Sequence, residues 1–126
     1  MLLTEYFARL VKVVDEYSKT NLIINSDLHI DSRTEKIGII KGTITFIDNS
    51  NLFFTEYLDV RYKVEKLSYS FHYQQKDGKL LFRYDNADHK PRLSFKSHKH
   101  LSSGEITQSS IPEISDIFEE IMDYLL

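Results

Sequence analysis

The sequence predicts an α+β fold, an antiparallel meander sheet of about five to six strands with an N-terminal and a C-terminal helix, in a single domain over residues 1–126. Three observations carry this expectation. Apolar residues recur at helical spacing only near the two ends of the chain. Between those ends lie runs rich in β-branched and aromatic residues, the first of them separated by polar clusters. At 126 residues, 41% hydrophobic and 28% charged, the chain has the size and composition of one domain, large enough to fold without a disulfide or a structural metal.

The first helix is expected from Thr4 to about Lys19, where Phe7, Leu10, Val11, Val14 and Tyr17 share a face and Thr4 is placed to cap the start. Strands are expected at 21–31, 36–48, 52–61, 64–75 and 79–84, with breaks at Asp31-Ser32-Arg33-Thr34 and Asp48-Asn49-Ser50-Asn51. Residues 87–110, which contain Pro91 and Ser102-Ser103-Gly104, read as irregular, with a short strand near 105–108. The last helix follows the capping box Ser110-Ile111-Pro112-Glu113, and its apolar stripe is Ile114, Ile117, Phe118, Ile121, Met122 and Leu125. Its opposite face, Glu113, Asp116, Glu119, Glu120 and Asp123, is a solvated surface or a mask for a neighbour's basic segment. Two helices on one sheet would cover one face and leave the other for a ligand or a second subunit, so a homodimer is a reasonable expectation.

Composition narrows the chemistry. No apolar run is long enough for a membrane span of about 20 residues, and no basic segment followed by an apolar one marks a secretory signal. The absence of cysteine excludes disulfides, thiolate metal sites and thiol nucleophiles, and fits a cytoplasmic location. No phosphate-binding glycine loop, dinucleotide fingerprint or nucleophile elbow is present. Histidine, carboxylate, hydroxyl and cationic side chains remain. The net charge of −3 is uneven: residues 1–75 carry −1, residues 76–100 carry +4 and residues 101–126 carry −6. The basic, histidine-rich middle segment is therefore the natural place for an anionic ligand, or else a solvated loop with incidental lysines.

Asp77-Gly78 between two alternating runs signals a type I′ hairpin turn, which fixes the register beside it. Phe71 then faces Tyr84 and Tyr73 faces Phe82 on a core side, while Ser70 faces Asp85 and His72 faces Arg83 on the other. If that second side lines a cleft, Arg83 can hold a phosphate or carboxylate while His72 works as an acid or base. If it faces water, the pair means nothing more. Three of the five histidines, His89, His98 and His100, follow within twelve residues. Metal binding would use such His and Asp groups, metal-free phosphodiester cleavage would use two histidines and a cation, and plain nucleic-acid binding would use Lys and Arg with interleaved aromatics. The spacing matches no zinc signature, so no cofactor is expected and a divalent metal is the weakest of the three. Glu56, amid Phe53-Phe54-Thr55-Glu56-Tyr57, is a general base beside a cation or a solvent-facing carboxylate, and His29 reads as structural or surface.

The strings Tyr69-Ser70-Phe71-His72-Tyr73-Gln74, Leu81-Phe82-Arg83-Tyr84-Asp85-Asn86-Ala87-Asp88-His89 and Phe95-Lys96-Ser97-His98-Lys99-His100-Leu101 resemble the TumE family. The aromatic-Glu-aromatic strand at Glu56 and the order of elements extend the likeness over most of the chain. Family members commonly carry a Tyr where Phe71 stands, Pro-His-His where Asp88-His89-Lys90 stands, and Pro-His at Lys96-Ser97. His89, His98 and His100 survive, and the departures argue against a mechanism that needs the second His of each pair. The resemblance implies a toxin encoded beside a TumA-like DNA-binding antitoxin, and an attack on RNA or translation. The leading expectation is a ribonuclease-type toxin with His72, Arg83, Asp85, His98, His100 and Glu56 as catalytic candidates. Tyr84, Asn86, His89, Lys90, Lys96 and Lys99 are the substrate-binding candidates. The alternatives are a non-catalytic partner- or nucleic-acid-binding module and a metal-dependent hydrolase.

Overall fold

The structure, a computed structural model, describes residues 1–126. Helix α1 (Leu3–Ser18) precedes strands β1 (Ile23–Ser32), β2 (Ile37–Phe46), β3 (Asn51–Asp59), β4 (Glu65–Gln74), β5 (Leu80–Asp85), β6 (His98–Leu101) and β7 (Ile106–Gln108), and α2 (Ile114–Leu125) closes the chain. All seven strands join one sheet in sequence order, and every neighbouring pair is antiparallel. This is an α+β meander with one or two strands more than expected. The additional one is β6, where an imidazole-rich Lys/Ser segment carries no β-branched or apolar alternation and is ordered by pairing with β5.

Both helices lie on the same face. Residues of one parity, Ile40 and Ile44 of β2, Leu52, Phe54 and Leu58 of β3, Tyr69, Phe71 and Tyr73 of β4 and Phe82 of β5, join Leu3, Leu10 and Val14 of α1 and Ile114, Ile117, Phe118, Ile121 and Met122 of α2 in one core. Tyr17 stacks on Phe118 at 4.6 Å between ring centroids, which locks α1 to α2. Strand residues of the opposite parity project from the face that no helix covers.

Both helix starts differ from the expected ones. The α1 cap is Leu2, and the Glu5 carboxylate accepts its backbone N–H at 2.8 Å, so Thr4 lies inside the first turn. In α2 the cap is Glu113, three residues after Ser110, and Asp116 accepts its N–H at 2.9 Å. In each case a first-turn carboxylate satisfies the exposed amide and complements the helix dipole.

The hairpin register is the expected one, reached through a different turn. Gly78 alone takes a positive φ, 91°, and Gln75 N–H donates to Lys79 O at 2.8 Å, which leaves the three-residue loop Lys76-Asp77-Gly78 rather than a type I′ pair. A register shift between Tyr73 and Gln74 then restores His72 opposite Arg83 and Ser70 opposite Asp85.

Candidate functional site

The uncovered face gathers the chemistry. In the β4–β5–β6 pairing, Arg83 stands between His72 and His100 in one cross-strand row, and Asp85 stands between Ser70 and His98 in the next. Arg83 Nη1 donates to His72 Nδ1 at 3.2 Å and Nε donates to Asp85 Oδ2 at 2.8 Å. Because a guanidinium can only donate, His72 Nδ1 is the accepting nitrogen, and Nε2–H meets Gln74 Oε1 at 2.9 Å. His72 is thus held between Arg83 and Gln74, with its ring 6.2 Å from that of Phe53.

Asp85 is the hub. Its side chain is buried, with His98 Nε2 2.8 Å from Oδ1 and His100 Nε2 3.4 Å from Oδ2. His98 Nδ1 lies 2.9 Å from the Lys96 carbonyl, so both ring nitrogens face oxygen atoms. Arg83, with the His98 contact beside it, compensates a carboxylate that would otherwise be costly to bury. His98 is 1% exposed, so among the expected catalytic histidines it is the one buried away from solvent, against Asp85. His100, a quarter exposed, sits with its ring 4.9 Å from that of His98, and His89 lies 6.0 Å from both rings at the start of the loop that covers them.

Burial lowers the His100 pKa from its ordinary 6.5, and the adjacent His98, Arg83 and His89 act in the same direction against the opposing pull of Asp85. The imidazole is therefore neutral at pH 7. Since the unfolded chain binds this proton more readily than the folded one, stability falls as pH drops through 6.5 and stops falling below the folded value. Urea unfolding between pH 7.5 and 5 is expected to show a slope of at most about one proton from this group, and His100→Asn is expected to remove it. An unchanged slope in the variant would assign the pH dependence elsewhere.

Not every expected residue is at the site. Glu56 has the parity of Phe54 and Leu58, so it projects under the helices, where its carboxylate meets Lys66 Nζ at 2.8 Å and accepts Tyr6 O–H at 2.8 Å. It orients no imidazole. Tyr84 and Lys99 are also on the helix side: Tyr84 O–H donates to Glu120, and Lys99 Nζ pairs with Glu120 at 2.9 Å while lying 5.0 Å over the Tyr84 ring. Burial, then the Glu120 contact, raises the Tyr84 pKa, which keeps it a donor inside the fold. Asn86 accepts the Tyr69 N–H at 3.0 Å and holds the β4 backbone. Lys90 and Lys96 are exposed in the covering loop, and Lys96 lines a depression beside Asp85.

Residues passed over in the sequence complete the face. Phe53, Thr55, Ser70, Gln74, Lys41 and His29 line an open groove of about 490 Å³ that runs from β1 to Arg83, with Asp27 3.0 Å from His29 at its far end. Phe53 was detectable as an apolar residue whose parity opposes that of Leu52 and Phe54. Asp85, His98 and His100 also bring ligand atoms within 4.8 Å of one another, a spacing that would admit a divalent ion.

A meander with both helices on one face and a histidine, arginine and aspartate cluster on the other defines a small α+β protein with a polar open sheet face. The family model described as Toxin TumE matches residues 10–125, and the chain belongs to the TumE toxin family. No curated protein and no solved structure matches it. Membership in a toxin family implies an antitoxin partner. No helix is long and apolar enough to cross a membrane.

Proposed function

We propose that this chain is the toxin of a toxin–antitoxin pair with a TumA-like antitoxin, and that it cleaves cytoplasmic RNA on the open face of the sheet. The observation that carries this reading is the row His72–Arg83–His100, with Asp85 beside it: two imidazoles flank a cation built for phosphate. Arg83 spends Nε and Nη1 on Asp85 and His72 and keeps Nη2 for a phosphate oxygen. His100, turned by Asp85, takes the proton of a ribose 2′-hydroxyl as its oxygen bonds to phosphorus. The P–O5′ bond breaks, and His72, after leaving Arg83 and Gln74 and taking a second proton at Nδ1, gives its Nε2 proton to the leaving oxygen and is left a neutral imidazole. Arg83 compensates the charge that builds on the phosphoryl oxygens.

Inducible expression of wild type, His72→Ala and Arg83→Lys, which keeps a cation beside the buried Asp85, in a bacterial host tests this. Growth arrest with fragmented total RNA is expected for the wild type and is expected to vanish in both variants at unchanged soluble yield. Normal growth and intact RNA for the wild type would count against the reading and favour a binding module. A second reading, metal-assisted hydrolysis, is favoured by the convergence of Asp85, His98 and His100. Cleavage by purified protein that survives a chelator excludes it, and cleavage that the chelator stops and zinc or manganese restores selects it.

A further inference from the structure

The groove extends beyond the row of reacting groups in both directions. On one side of Arg83 lies the 490 Å³ depression that reaches Phe53 and Lys41. On the other lies a depression of about 400 Å³ bounded by Ser68, Asn86, Asp88 and Lys96. The two share Thr55, Ser70 and Arg83 as lining residues, so the guanidinium sits where they meet. We infer that the open face binds single-stranded RNA across the strands, with a phosphate at Arg83, one unpaired base stacked on Phe53, and the flanking backbone drawn to Lys41 and Lys96. The inference rests on the proposed RNA-directed activity and specifies its substrate.

Phe53 is 41% exposed, although the positions around it on this face, Thr43, Thr55 and His72, are polar. An apolar ring left open among polar groups is a stacking platform for a flat ligand rather than part of a wide apolar interface. Register places Phe53 two strands from Arg83, about 10 Å at the usual strand spacing, a span that one nucleotide bridges. Lys41 and Lys96 at the two ends repeat the cationic character of Arg83, and the one acid lining the first depression, Asp27, is paired with His29. A paired base is stacked between its neighbours inside a duplex and presents no free face to Phe53, which selects single strands, loops and ends.

The test uses a fluorescent oligonucleotide fully 2′-O-methylated, so that binding is read by anisotropy whether or not the protein cleaves. The single strand is expected to bind at least about tenfold more tightly than its blunt duplex. Phe53→Ala is expected to weaken single-strand binding by about tenfold with an unchanged melting temperature, and Phe53→Tyr to restore it. Equal affinity for strand and duplex, or an unaltered Phe53→Ala, overturns the inference. Strand-selective, Phe53-dependent binding without cleavage of unmodified RNA would overturn the nuclease reading alone. Cleavage indifferent to Phe53 would overturn this inference alone.

Discussion

Asp85→Asn is expected to fold and to lose at least about 100-fold in RNA cleavage, whereas Asp85→Ala is expected to lose about 3 kcal/mol or more of stability. The difference follows from the partners. An asparagine can still accept from Arg83 Nε and can donate to His98 Nε2, at the loss of the Ala87 N–H that Asp85 Oδ1 accepts at 3.1 Å, so most of the contacts persist and only the half-exposed Arg83 is left without its counter-charge. Alanine leaves Arg83 with no counter-charge and strands the buried His98 Nε2 and the Ala87 N–H without a partner. Asp85 acts on substrate only through its neighbours, and the pH profile separates this positioning role from a purely structural one. The carboxylate opposes the lowering of the His100 pKa, so the acidic limb of the cleavage profile is expected to move to lower pH in Asp85→Asn. A profile that loses height without moving, or an Asp85→Asn chain as active as wild type, would show that Asp85 does not tune His100.

Lys66→Ala carries the largest stability effect expected outside that cluster, about 3–5 kcal/mol. The Lys66 and Glu56 side chains are 4% and 1% exposed, and Lys66 Nζ also donates to the Pro112 carbonyl at 2.8 Å just before α2. Removing the ammonium strands a carboxylate in the core and frees the start of α2. The pair also explains Tyr6: burial first, and the Glu56 charge second, hold its pKa far above the ordinary range, so it remains a donor to Glu56. The double variant Lys66→Met/Glu56→Leu is expected to regain most of the loss, since two apolar side chains of similar size leave no charge unpaired. Urea unfolding of wild type, both single variants and the double variant measures the coupling. A loss below about 1 kcal/mol in Lys66→Ala would mean that water reaches Glu56 in solution.

The same pair shows where the alternation of strand residues was legible and was not followed. Glu56 shares the parity of Leu52, Phe54 and Leu58, which assigns it to the core, yet its charge suggested a reactive base. Tyr84 likewise shares the parity of Phe82, and Lys99 pairs opposite it in the sheet, so both meet α2 rather than a ligand. The basic segment 76–100 is therefore divided. Lys99 is neutralised by Glu120 on the helix side, whereas Arg83 and Lys96 remain on the open side. The acidic face of α2 is not wholly solvated for the same reason.

Local periodicity by itself determined the two helices, five of the strands and the His72–Arg83 pairing. A hairpin closes over few residues, and the opposed aromatic pairs Phe71–Tyr84 and Tyr73–Phe82 tolerate no slip by one residue. Its register even survived a wrong turn type, because a bulge next to the turn compensates the odd loop. Only the tertiary structure decided that both helices share one face, that Glu56 lies beneath them, and that His98 and His100 dock on Asp85. Those outcomes depend on contacts between segments far apart in sequence. The β5–β6 pairing closes across the loop 86–97, whose residues carry no repeating apolar signal, so its register is visible only in the assembled sheet, where it sets His98 opposite the buried Asp85.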